Sequence, residues 1–370
     1  MKAIAVYPGQ REVKLIHAEE PSLSGDRQVK LRMLEAGICG TDKEVCSFQY
    51  GTAPRGSDYL ILGHESLGEV VEVGSEVSGL RVGDLVVPSV RRPCPHASCI
   101  ACRQGRQDFC YTGDFIERGI KGAHGFMAEH VVEEARYLNP VPASLREIAV
   151  LVEPLTIAEK ALAQVLMVQQ RLPWAAPGAS AQSPGAGHRA LVLGAGPVGL
   201  LGAMVLTAAG FETFVYSRES KPSPKAELTE SFGARYLSSQ TVPVKALAEQ
   251  VGNIDVVYEA VGASQLAFDV MRVLGTNGVF VFTGVPGRRE PVPVDTDSLM
   301  RSLVLKNQVA LGTVNAGKES FDAAIRDLGV FMKRWPQSVR ALITRRSSME
   351  EYSELILGKP SGIKNILRLS

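Results

Sequence analysis

Two groups of residues in this 370-residue chain carry metal-ligand chemistry in their types and spacing. Cys39-Gly-Thr-Asp42 is followed 21 residues later by Gly63-His64-Glu65. A thiolate, an imidazole and a carboxylate suit a zinc ion that keeps one position open, which is what a Lewis-acid catalyst needs. Taken singly, His64 reads as a satisfied structural histidine and Cys39 as an inert buried thiol. The second group is Cys94, Cys99, Cys102 and Cys110, spaced Cys-x4-Cys-x2-Cys-x7-Cys within 17 residues of a Pro-, Arg- and Gln-rich loop. Four thiolates there suit a closed tetrahedral zinc site whose role is to hold a lobe together. Two disulfides are the alternative use of those sulfurs, and His96, between the first two, is an alternative ligand. Cys46 fits neither pattern and reads as a small buried residue or free thiol.

A third signal is Gly-x-Gly-x-x-Gly, spelled by Gly194, Ala195, Gly196, Pro197, Val198 and Gly199. It follows an apolar strand and opens an uncharged helix predicted to run to Ala209. In that context Gly194 makes the turn, Gly196 admits a pyrophosphate and Gly199 lets helix pack on strand. The free N–H groups of the helix start then face the phosphates. Where the next strand ends, an NAD site usually offers an acid to the ribose 2′-hydroxyl, but this chain offers Ser217 and Arg218 first. Arg218 suits a 2′-phosphate, so NADP is the expected nucleotide; the adjacent Glu219 keeps NAD as the alternative, and a solvated surface arginine is the plain reading of Arg218.

These residues need a scaffold. At about 150 residues per domain the chain is long enough for two. Forty Lys and Arg against 39 Asp and Glu give a formal charge of +1, no field for steering onto nucleic acid or an anionic membrane, so neither is an expected partner. Alternating runs such as Val29 to Leu34 and Gly68 to Gly74 predict a mostly β domain over the first 150 residues. Helical periodicity begins at Glu153, with Pro154 in the first turn. Residues 171–189 are rich in Pro, Gly, Ala and Ser and read as a surface linker or a long loop. Beyond them, strand-like runs at Ala190–Leu193, Thr213–Ser217, Ile254–Glu259, Gly278–Gly284 and Gln308–Gly312 alternate with helical or turn segments, as in a doubly wound parallel sheet. A helix over Ser320–Lys333 and strands at Ala341–Thr344 and Ile363–Leu369 complete the chain. Ala190 to Phe211 is uncharged for 22 residues, but its five glycines and Pro197 predict strand, turn and buried helix rather than a membrane span. The N-terminal apolar run is too short for a signal-peptide core, so the expected location is the cytoplasm.

Over nearly its whole length the chain resembles the zinc-dependent medium-chain alcohol dehydrogenase superfamily and, within it, the NADP-using glucose (aldose) dehydrogenases. The broader likeness rests on Cys39-Gly-Thr-Asp42, Gly63-His-Glu65, the four-cysteine lobe and Gly194 to Gly199. The narrower one rests on Arg91-Arg-Pro-Cys94, Gly105 to Cys110, Thr112 to Ile120, His124-Gly-Phe126, Glu153 to Lys160 and Val314-Asn315. The resemblance implies an α/β fold: a β-rich GroES-like catalytic domain over 1–187 and 314–370, and a doubly wound Rossmann domain over 188–313. It implies one catalytic and one structural zinc, with NADP or alternatively NAD. Cys39 and His64 would hold the catalytic zinc, with Glu65 and Glu153 as carboxylates that alternate or act through water. Thr41 would relay the substrate proton, and Asp42 would orient the ligand imidazole. Glu117, Glu153 and Asn315 would join Thr41 in contacting sugar hydroxyls. Val314 and Asn315 would border the nicotinamide, and Phe282 and Thr283 would offer backbone to the cofactor.

The implied activity is oxidation of an aldose, D-glucose or D-galactose, at C1 to the aldonolactone by a homodimer or homotetramer. A polyol or secondary-alcohol dehydrogenase is the alternative of the same class. A metal-free quinone reductase or a non-catalytic nucleotide-sensing module, which would lack the zinc ligands, is the alternative of another. The chain departs from the family pattern in its Cys-x4-Cys where Cys-x2-Cys is common, and in Ile157 where some relatives carry an acidic sugar contact.

Overall fold

The alternating N-terminal runs fold as strands in the computed structural model of the protein, which describes residues 1–177, 179–287, 290–359 and 361–370. Gln28–Gly37 is the central strand. One of its edges pairs antiparallel with Glu65–Val73. The other is shared by His130–Glu134 and, at the Gly37 end, Lys364–Arg368. Leu85–Pro88, Leu138–Val141 and Ile343–Ser348 complete a seven-stranded sheet. Val29, Leu31 and Met33 are fully buried while the intervening Arg32 is exposed, the period of two that a half-buried strand requires. These side chains share a core with Ile4, Leu60, Val70, Val86 and Phe126, where each buried aliphatic contributes about 1.5–3 kcal/mol.

The glycine motif opens a second sheet. Its strands in chain order are Arg189–Leu193, Glu212–Ser217, Arg235–Ser238, Val256–Glu259, Val279–Phe282 and Val309–Gly312, all parallel, lying 3-2-1-4-5-6 across the sheet. This is the doubly wound order. The third strand is missing from the sequence reading because Arg235 and Ser238 break its apolar character. The run expected over Gly278–Gly284 ends at Phe282, because Thr283 and Gly284 turn to donate their N–H groups to the Glu259 carbonyl. The uncharged stretch resolves into Arg189–Leu193 and the helix Pro197–Ala208, and no described helix is long and apolar enough to cross a membrane. Gly199 sits in that helix's first turn, where a Cβ would collide with the Gly194 carbonyl oxygen, so the close approach needs glycine.

The described part of 171–189 is a loop that folds back on itself: the His188 ring stacks on Trp174 at 3.7 Å, and its Nε2 lies 2.7 Å from the Trp174 carbonyl. By contacts the chain forms two units. One comprises Met1–Thr156, Asn315–Met332 and Leu342–Ser370, the other Ile157–Val314 and Lys333–Ala341. A Gly199→Val substitution is expected to lower the melting temperature and abolish dinucleotide binding together, measurable by thermal denaturation and fluorescence titration; unchanged values for both would contradict the packing described.

Candidate functional site

Strand pairing assembles the first cluster. Gly37, at the end of its strand, lies opposite Glu65, at the start of the neighbouring one, so Cys39 just past one strand end meets His64 just before the other start. Cys39 precedes the short helix Gly40–Cys46, and its backbone N–H donates to Asp42 Oδ2 at 2.8 Å. The ligand atoms of Cys39, His64 and Glu65 all lie within 4.8 Å of one another. Asp42 Oδ1 stands 3.5 Å from His64 Nδ1, which leaves Nε2 for a metal. Thr41 Oγ1 is 3.9 Å from Cys39 Sγ. Glu153 begins the next long helix, Val152–Gln169, and lies outside the trio, yet its carboxyl feels His64, Glu65 and Asp42. Burial first, then those neighbouring acids, push it up to about 7 against His64 and Lys364. His64 is held well above its usual range although burial opposes this, because Asp42 supplies both charge and a hydrogen bond.

Sequence reasoning missed Lys364. It is wholly buried, its ammonium pairs with Glu65, and it donates to the Ile38 carbonyl at 3.0 Å. Burial opposes its charge, and Glu65 and Cys39 restore it, raising its pKa. A Cβ on Gly37 would meet both Glu65 and Lys364, so this glycine makes room for the pair. The signal available was parity: Lys364 falls on the same strand face as the buried Ile366. The donor set fits zinc. A thiolate and a carboxylate balance a dication, and the imidazole is oriented by Asp42 with its other nitrogen left for the ion.

The four cysteines of the second cluster also meet, all Sγ atoms within 4.8 Å. None is in a disulfide. Cys99 and Cys110 Sγ are 3.9 Å apart, close to the roughly 3.8 Å of two thiolates on tetrahedral zinc with Zn–S of about 2.3 Å. N–H donors aim at these sulfurs. Those of Cys102 and Tyr111 lower the Cys99 thiol, and Cys110, despite burial, is brought down to about 6 by the hydroxyl and N–H of Thr112 and by Gly113. Residues 95–98 loop outward, which absorbs the longer Cys-x4-Cys spacing, and His96 points away to Asp114 at 2.7 Å.

Glu117 and Asn315 are brought together. Asn315, in left-handed backbone at φ 59°, donates from Nδ2 to Glu117 Oε1 at 2.9 Å, and buried Arg91 donates to the same oxygen from Nε at 3.1 Å and Nη2 at 3.0 Å. Arg91 also reaches the Asp108 carbonyl at 3.4 Å, inside the cysteine loop, and stacks on Phe115 at 3.6 Å. Cys46 is buried, and burial pushes its thiol up to about 12.

The glycine motif borders a cavity of about 970 Å³, lined by Gly194, Ala195, Gly196, Ser217 and Arg218 among others. Pro197, Val198 and Gly199 continue into the helix, and Phe282, Thr283, Val314 and Asn315 lie outside the cavity lining. Glu259, another residue the sequence did not single out, shapes one wall: its carboxylate accepts from the N–H groups of Val261 at 2.8 Å, Gly262 at 2.7 Å and Gly284 at 3.2 Å.

A β-rich unit with two metal-fit clusters, in one chain with a 3-2-1-4-5-6 parallel sheet, defines the class of medium-chain zinc dehydrogenases. Residues 25–143 match the alcohol dehydrogenase GroES-like domain, and 146–369 match the glucose dehydrogenase C-terminus. The chain is 40% identical over 370 residues to glucose 1-dehydrogenase of Methanocella arvoryzae, covering 100% of this chain and 99% of that one. It is also 40% identical to that of Thermoproteus tenax, with the same coverage. It superposes on Haloferax mediterranei glucose dehydrogenase in complex with NADP, Zn and gluconolactone at TM-score 0.87 and 32% identity, covering 100% and 99% of the two chains. Likeness to Bacillus subtilis 2R,3R-butanediol dehydrogenase, at TM-score 0.77, 24% identity and 99% of each chain, shows the fold. The chain belongs to the glucose dehydrogenase family.

Removing one partner of a buried ion pair leaves an uncompensated charge, so Lys364→Ala is expected to cost about 3 kcal/mol of stability by denaturant titration. A loss under about 1 kcal/mol would contradict a buried pair. Elemental analysis is expected to find two zinc ions per chain, and one in a Cys102→Ser, Cys110→Ser variant that retains the fold.

Proposed function

We propose that this protein oxidises an aldose, D-glucose first and D-galactose second, at C1 to the aldonolactone, with NADP as acceptor and NAD as the poorer alternative. The observation that carries this reading is the convergence of Cys39, His64 and Glu65, in a chain whose dinucleotide cavity presents Arg218. It is supported by the glucose 1-dehydrogenase names of relatives and by the NADP, Zn and gluconolactone of the Haloferax complex. In this reading 1–187 and 314–370 act as the zinc-binding catalytic domain, 188–313 bind the dinucleotide, and the four cysteines hold the structural zinc.

Cys39, His64 and Glu65 would hold a zinc ion, which would supply a Lewis acid that lowers the pKa of a substrate hydroxyl. Asp42 fixes the His64 ring so that Nε2 is the ligand atom. Glu153, with its carboxyl near neutrality, serves as an exchangeable carboxylate beside Glu65 and faces the sugar. Thr41 would relay the proton of the C1 hydroxyl towards solvent, accepting it while passing on its own. Glu117 and Asn315 hold further hydroxyls, and Arg91 keeps the Glu117 carboxylate aimed. Phe282, Thr283 and Val314 serve the nicotinamide end. A dinucleotide bound there would supply the two-electron acceptor for the C1 hydride, so that aldose and oxidised nucleotide would give lactone, reduced nucleotide and a proton.

The partner we assign beyond sugar and nucleotide is a second copy of the chain, in a dimer or tetramer. Val309–Gly312 ends its sheet, and Met300, Val304 and Leu305 on the preceding helix are 64%, 74% and 65% exposed. The cytoplasm, where six cysteines outside any disulfide stay reduced, is the location that goes with this reading.

Absorbance at 340 nm across aldoses and polyols, with both nucleotides, tests the assignment. Glucose-dependent NADPH formation is expected, and turnover of sorbitol without glucose would replace it with a polyol dehydrogenase. Cys39→Ala should lower turnover by at least about a thousandfold while NADPH still binds, and near-normal turnover would rule out zinc chemistry at that sulfur.

A further inference from the structure

Three charged side chains line the dinucleotide cavity: Arg218, Glu219 and Lys225. Arg218 and Glu219 follow the strand Glu212–Ser217, where the ribose of a bound dinucleotide is read. Lys225 comes from the next element, the helix Pro224–Ser231 that Ser223 caps. Its Nζ donates to Glu219 Oε1 at 2.5 Å. The Glu219 backbone is itself tied, since its carbonyl accepts from the Tyr236 hydroxyl at 2.9 Å, which keeps the carboxylate within reach of Lys225.

Two features say that stability is not what this pair supplies. A cation in the first turn of a helix faces the partial positive charge of the free N–H groups, so local helix preference works against lysine there. The pair is also part-exposed, at 26% and 43%, and contacts of that kind add little to stability. Its effect is therefore to be sought in the cavity it borders.

We propose that Lys225 sets the choice of nucleotide by holding the Glu219 carboxylate; this rests on the reading of the cavity as the dinucleotide site. A free carboxylate after this strand accepts a hydrogen bond from a ribose 2′-hydroxyl and repels a 2′-phosphate. Bound to Lys225, Glu219 loses most of that repulsion and cannot fold over to pair with Arg218, whose guanidinium then stays open to the phosphate. Without Lys225 the charges of Arg218 and Glu219 cancel, and Glu219 is released toward the ribose. Lys225 acts through Glu219 and is a positioning residue.

The test uses the full-length protein without sugar, following NADPH and NADH binding by nucleotide fluorescence for the wild type, Lys225→Met, Glu219→Gln and the double variant. Circular dichroism melts accompany each and should be unchanged, as the pair is part-exposed. Wild type is expected to prefer NADPH. Lys225→Met should lower the NADPH-to-NADH affinity ratio about tenfold, the worth of one charge-assisted contact. Adding Glu219→Gln should restore most of the NADPH affinity, because no carboxylate remains to be held. An unchanged ratio in Lys225→Met, equal weakening of both nucleotides, or a double variant as weak as the single one would each overturn the proposal. Wild-type protein that binds neither nucleotide would overturn the assignment of the cavity itself, and this proposal with it.

Discussion

The register that sets Gly37 opposite Glu65 is the constraint on which the site depends. It places Cys39 beyond one strand end and His64 before the start of the next. Because side chains alternate along a strand, a slip of one residue would turn Glu65 to the opposite face and take Val29, Leu31 and Met33 out of register with the core. The same apolar packing that stabilises the sheet therefore aligns the polar cluster. Lys364 answers Glu65 from a third strand, so the acid has a cationic partner within the protein itself.

The charges gathered there explain why a cation belongs among them. Among the described residues, Cys39, Asp42, Glu65 and Glu153 gather around two basic groups, His64 and Lys364, all in or near a buried space. Burying acids in such excess is costly unless they are protonated or neutralised by a metal. Burial carries the carboxyl of Glu153 up to about 7 even with His64 and Lys364 opposing it. The cysteine lobe is joined to this chemistry by Arg91, which touches the Asp108 carbonyl inside the loop and the Glu117 carboxylate outside it. A metal that orders the loop thus also fixes the anchor of a residue assigned to the sugar.

Much of this was legible in the sequence because the informative residues lie close together along it. The four cysteines, the glycine motif and the pairs at 39–42 and 63–65 are local patterns whose chemistry survives without coordinates. The strands rich in Val, Ile and Leu were equally plain. What escaped depends on contacts distant in sequence. Lys364 meets Glu65 across about three hundred residues of chain, and a buried lysine has the same letter as a solvated one. Arg235–Ser238 has too little apolar character to announce a strand, yet it pairs at the sheet edge where one side stays open. In sequence nothing distinguishes Lys225 from a solvated helix lysine, and its contact with Glu219 belongs to the fold. The place of His96 is likewise a matter of distance, since it lies against Asp114 while the four sulfurs converge.

The most direct test of the central claim is an anomalous difference map, recorded on either side of the zinc absorption edge, from crystals of metal-replete, catalytically active protein. Zinc catalysis at Cys39 requires one peak enclosed by the sulfurs of Cys94, Cys99, Cys102 and Cys110, and a second bounded by Cys39 Sγ, His64 Nε2 and a carboxylate oxygen of Glu65 or Glu153. Active protein with density only in the cysteine lobe would contradict it.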